Sequence, residues 1–102
     1  MNMNMLMQQA QRMQKEMEKA QRELEEKVFE IKSAGGGIVV TIKGNKEVLS
    51  IDIDEDMIDK DEKEMLQDMV VVAVNEAIRT VLNEEQKIMS KQASGLRMPG
   101  LF

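Results

Sequence analysis

Four bases stand in line near the start of the chain. Arg12, Lys15, Lys19 and Arg22 are spaced by three, four and three residues, so on a helix they share one face. A row of fixed positive charges suits electrostatic contact with the phosphates of a polyanion. The plain alternative is a solvated helix surface stitched by ion pairs, because Glu16, Glu18, Glu23 and Glu25 flank the row. Lys87, Lys91 and Arg97 form a second basic stretch, since Gln86 to Phe102 contains no acid. The net charge of −5 hides this distribution: residues 1–27 carry five bases and five acids, residues 28–64 five and ten, and residues 65–102 four of each. The negative excess is central, and both ends remain open to an anionic partner.

Other chemistry is scarce. The chain has no Cys and no His, which removes disulfides, thiol nucleophiles, thiolate metal sites and the commonest general base. It has no Gly-rich phosphate loop with its Lys and no Ser paired with a base, so no enzyme, cofactor or small-molecule substrate is expected. Asp52, Asp54, Glu55, Asp56 and Asp59 offer oxygen ligands, but their spacing departs from a calcium loop and fits helix capping and dipole effects better. No metal is expected. Phe29 and Phe102 are the only aromatics, too few to stack the bases of a single strand. Duplex backbone contact with weak sequence preference is the better fit. No apolar run reaches signal-peptide or membrane-spanning length, which predicts a cytoplasmic chain with no membrane partner.

The bases need a rigid support, and the pattern supplies one. Met3, Leu6, Ala10, Met13, Met17, Ala20 and Leu24 recur at alternating steps of four and three residues, the 3.5-residue period of a helix that packs against another helix. In that repeat the four bases occupy positions c and f, opposite the seam. Residues 3–27 contain no Pro or Gly and predict one helical arm of about 36 Å. A domain of this size cannot easily cover such a rod, so self-association is expected. Leu6, Ala10, Met13, Met17 and Leu24, with Met69 and Val70 farther on, are the predicted dimer interface, and the sheet edge is an alternative or additional contact that the sequence leaves open.

At Val28 the period shortens to about two. Val28 to Lys32, Ile38 to Lys43 and Glu47 to Ile53 read as strands of a meander, broken by the loop Ala34-Gly35-Gly36-Gly37 and a turn at Gly44-Asn45. In the third strand Leu49, Ile51 and Ile53 alternate against Val48, Ser50 and Asp52. A second helix is predicted over 61–93, opened by a capping box of Asp61 and Glu64 and ended by Ser94-Gly95, with a tail over 94–102. Its Met69 to Val74 stretch predicts burial on more than one side. The fold class is α+β, in the order α-β-β-β-α: one domain, 1–102, with a three-stranded antiparallel sheet over 28–53 and two long helices.

The ordered set Leu6-Met7-Gln8-Gln9-Ala10-Gln11-Arg12-Met13-Gln14, Gly35-Gly36-Gly37 leading into Ile38-Val39-Val40-Thr41-Ile42-Lys43-Gly44, Ile51-Asp52-Ile53-Asp54, and the Asp68 to Ala77 helix with Asn75 resembles the YbaB/EbfC family of bacterial nucleoid-associated proteins. The resemblance implies a tweezer-like homodimer that binds double-stranded DNA through its long helices. It further implies little sequence specificity and a place in the nucleoid. Arg12, Lys15, Lys19 and Arg22 on one helix and Lys87 and Lys91 on the other are the charges this implies. A rival reading is a cytoplasmic adaptor dimer for another protein, with incidental DNA contact, supported by the acidic pI of about 4.8 and the Met-rich start.

Overall fold

The computed structural model describes residues 2–95, with side chains through Lys91. Helix α1 spans Met3–Glu26. Its first turn is capped by Asn2, whose side-chain oxygen accepts the Asn4 N–H at 3.0 Å. The helix ends where Lys27 turns extended while its N–H still bonds the Leu24 carbonyl at 3.0 Å. Strands β1 (Val28–Ser33), β2 (Ile38–Lys43) and β3 (Val48–Ile53) follow, then helix α2 (Lys63–Gly95). The fold is α+β in the order α-β-β-β-α. The antiparallel sheet has β2 in the middle.

The register builds three rows across the covered face of the sheet. Phe29, Ile42 and Val48 share one row, Ile31, Val40 and Ile51 the next, and Ser33, Ile38 and Ile53 the third. Strict alternation predicts Val48 on the opposite face, with Leu49 turned inward. A bulge corrects this: Thr41 pairs with Ser50 but Ile42 pairs with Val48, so Leu49 is the extra residue and Val48 is carried round to the apolar face. Between β1 and β2, Ala34, Gly35 and Gly36 all have positive φ, the left-handed path that the glycines make accessible.

The core is narrow. Ile38, Val40 and Ile42 on β2 and Ala73, Ala77 and Val81 on α2 are fully buried. Alanines four residues apart let the helix backbone approach the central strand closely, and Phe29, Ile31, Ile53, Met57, Met69, Val70 and Ile78 pack around this center. The stretch Met69 to Val74 is helical as expected, but it is not buried on several sides, because Val71 is 58% exposed and Val72 is exposed too. A single sheet offers only one surface to pack against.

The entry to α2 also differs from the expectation. The cap is Asp59, whose carboxylate accepts the Asp61 N–H at 2.9 Å and opens a 3-10 turn, Lys60–Glu62, that feeds α2. Asp59 has the extended backbone a cap requires, whereas Asp61 already lies within the turn, so α2 starts two residues later than 61. It also runs on through Gly95. Asp54 repeats the device, accepting the Asp56 N–H at 3.1 Å. These members of the acidic run serve as turn caps.

Gly44 is the tightest point of the fold. Its N–H donates to the Lys27 carbonyl at 2.8 Å, and a Cβ there would collide with the Leu24 carbonyl group. The turn itself bends elsewhere, at Lys46, with a φ of 73° and an N–H bonded to the Lys43 carbonyl at 2.8 Å. Gly44 is therefore required for close approach between backbones and not for its turn conformation. Gly44→Ala should lower the unfolding free energy by about 2 kcal/mol or more, the range for forced overpacking. Gly35→Ala, strained only by its φ, should cost about 1 kcal/mol. Urea titrations of both variants check the order.

Candidate nucleic-acid interface

The base of the arm is tied together across three elements. Lys27 Nζ lies 3.5 Å from a Glu84 carboxylate oxygen, Lys43 lies 3.5 Å from Glu26, and Lys46 lies 3.3 Å from Glu85. Lys27 also sits over the Phe29 ring, 5.0 Å from its center. Glu16, Lys19, Ala20, Glu23, Leu24 and Lys27 line one shared depression with Glu84, Ile88 and Lys91. Rising numbers on α2 therefore meet falling numbers on α1, and the two helices run antiparallel, forming a two-helix arm within one chain.

That packing corrects part of the predicted dimer seam. Leu24 is 2% exposed, enclosed by its own chain, and leaves no surface for a partner. Met69 and Val70 are half-buried against their own core. Toward the start of α1 the seam opens: Met13 is half-buried, while Leu6, Ala10 and Met17 are exposed. The 3.5-residue repeat reports that a helix partner exists but not which chain supplies it.

Arg12, Lys15, Lys19, Arg22, Lys87 and Lys91 are all exposed. Arg97 lies outside the described residues. Among the described residues no ion pair uses any of the six bases; the pairs formed engage Lys27, Lys43 and Lys46. The expected stitching of the α1 stripe by its glutamates is therefore not drawn. On α2, both acids nearest Lys87, Glu84 and Glu85, are engaged by lysines from other elements, so Lys87 and Lys91 are left as local positive excess. Lys19 and Lys91 come together in the shared depression. Arg22 lies across the seam from them, beside Met17, Ile88 and Met89. Lys27 was not a sequence candidate because it stands at a seam position of the repeat, outside the c and f row.

A second surface is apolar. Helix α2 packs chiefly across β1 and β2, and its Met69, Val72 and Glu76 flank faces Ser33 and Ala34 at the end of β1. By helical spacing Val71 and Leu82 fall on the opposite flank of α2, and in the sheet β3 lies on the far side of β2 from β1. Val48, Leu49, Ile51, Val71 and Leu82 are all exposed, Ile51 by 40%. Among the described residues no three His, Cys, Asp or Glu side chains converge on a metal-sized site, and no helix is long and apolar enough to cross a membrane.

Residues 1–96 match the YbaB/EbfC DNA-binding family. The chain belongs to that family. Similar to it are a nucleoid-associated protein of Clostridium novyi, 49% identical over 102 residues that cover 100% of this chain and 90% of the relative, and one of Alkaliphilus metalliredigens, 48% identical with 99% and 89% covered. A crystal structure of an uncharacterized Helicobacter pylori protein, at 22% identity, superposes with a TM-score of 0.73 and covers 91% of this chain and 98% of its own, a likeness of fold. For this family member the arm junction should dominate stability. Leu24→Ala should cost about 2 to 4 kcal/mol through lost burial and a cavity, and Glu84→Gln less than about 1 kcal/mol because its ion pair is half-exposed. Chemical denaturation of the two variants measures the difference.

Proposed function

We infer that this chain binds double-stranded DNA as a homodimer, with little sequence specificity, and contributes to nucleoid organisation or gene regulation. The observation that carries the reading is the row Arg12, Lys15, Lys19 and Arg22, solvent-facing and unpaired among the described residues, in a chain whose family is DNA-binding. Lys87 and Lys91, both exposed on α2, add to the same charge. Bases free of internal partners release condensed counterions when they meet phosphates, which supplies affinity without reading sequence.

Dimerisation is supported by shape and surface. The radius of gyration is 20.2 Å, against about 13 Å for a compact chain of this length. The accessible surface is 8130 Å², against about 5,800 Å² for a compact monomer of this mass. The exposed shelf of Val48, Ile51, Val71 and Leu82 is the surface we assign to the partner copy, with the open part of the arm seam as a second contact. Pairing would set two arms in one assembly, so each duplex meets two basic rows.

Two measurements test the reading. Charge reversal at Lys15, Lys19 or Lys87 should lower duplex affinity several-fold each in a mobility shift while sedimentation still reports a dimer; undiminished binding by the triple variant would remove these residues from the interface. Ile51→Asp with Val71→Asp should give a monomer that binds duplex weakly. A dimer that survives both substitutions places the subunit contact elsewhere.

A further inference from the structure

Each residue of the turn between β2 and β3 has a separate task. Gly44 admits the Leu24 carbonyl, and the Asn45 side-chain oxygen accepts the Glu47 N–H at 2.9 Å. Lys46 takes the left-handed step that returns the chain to β3, with a φ of 73°. Glycine is the residue this step favours, because a Cβ is crowded by its own backbone there. A lysine held at such a φ is uncommon, and strain of this kind points to something the side chain does. Ala34 shares the left-handed backbone but carries only a methyl group. Lys46 carries an ammonium that lies 3.3 Å from a Glu85 carboxylate oxygen on α2.

The place of that contact matters. Val81 is the last fully buried residue of α2 among those described, and Glu85 stands one turn beyond it, where the helix leaves the sheet and becomes part of the arm. Lys27, at the end of α1, holds the adjacent Glu84 at 3.5 Å. Neighbouring side chains on a helix diverge by about 100°, so the two lysines grip α2 from two directions. We propose that Lys46 is a positioning residue: its strained turn delivers an ammonium to Glu85 and, with the Lys27–Glu84 pair, fixes the direction in which α2, and α1 packed on it, depart from the sheet. Lys46 acts on the arm and not on a ligand. Through the arm it sets where Arg12, Lys15, Lys19 and Arg22 stand relative to the same row of a second copy, and only this consequence for DNA contact rests on the function proposed above.

Lys46→Gly in the full chain separates the strain from the contact. Relief of the strain offsets the lost pair in global stability, so the urea midpoint should be unchanged or higher. The arm should loosen all the same: amide exchange at residues 84–91 should quicken about threefold, the scale of one exposed ion pair, while exchange in β2 does not quicken. Glu85→Gln should reproduce the faster exchange. Lys46→Arg, and the exchanged pair Lys46→Glu with Glu85→Lys, should keep it slow. A lowered midpoint in Lys46→Gly, unaltered exchange at 84–91, or fast exchange in both charge-preserving variants would each overturn the brace. In a mobility shift Lys46→Gly should bind a duplex about threefold more weakly than Lys60→Gln, which loses the same charge from the segment before α2. Quickened exchange with equal duplex binding would uphold the brace and overturn its consequence for DNA, so the two failures are distinguishable.

Discussion

Gly44 brings the end of β2 against the end of α1 with nothing between them but backbone. Its N–H reaches the Lys27 carbonyl at 2.8 Å, and the Leu24 carbonyl occupies the space a side chain would need. That contact fixes where the helix leaves the sheet, and the ion pairs of Lys27, Lys43 and Lys46 with acids on the two helices surround it. Each pair is solvent-accessible and individually weak. Their effect is on direction: they hold α1 antiparallel to the end of α2, and they engage Glu84 and Glu85, the acids nearest Lys87.

Two kinds of surface result from a core this small. The sheet has one helix to cover it, and α2 covers β1 and β2 with its Ala73, Ala77 and Val81 face. Beta-branched residues on the next face of the helix, and the apolar row on β3, are left in water. The arm, in turn, is held only at its root and projects its bases. An elongated subunit of 72 × 26 × 16 Å is the geometric outcome, and it separates an apolar root from a charged limb.

Much of this is legible in the residues because the periods are clean. The 3.5-residue repeat of α1 and the alternation in β1 and β2 depend on local burial, and the structure has the helix, the strands and their order. What the pattern does not carry is long-range. A bulge at Leu49 brings Val48 in place of Leu49 onto the covered face of β3 while Ile51 and Ile53 stay where alternation puts them, and alternation within one strand contains no information on its neighbour's register. Asp61 has capping-box spacing, yet Asp59 caps, because the preceding backbone decides which carboxylate faces free N–H groups. Leu24 has the seam position of a partner contact but is enclosed by its own chain, since a heptad repeat does not name the partner. Gly44 reads as turn chemistry when its role is proximity to a helix 20 residues earlier. The basic row is legible from spacing alone; that its flanking glutamates leave it unpaired, and that Lys27 is held by Glu84 in the depression it shares with Lys19 and Lys91, depend on the fold.

The central claim is that the arms present basic residues free of ion pairs to duplex phosphates. Its most direct test is the affinity of the unmodified protein for two duplexes of unrelated sequence, titrated between about 50 and 200 mM salt, where each phosphate contact contributes about −0.9 to the slope of log K against log salt. The account predicts a steep linear fall with the same slope on both duplexes. Affinity independent of salt, or no binding to either duplex at the lowest salt, would contradict it.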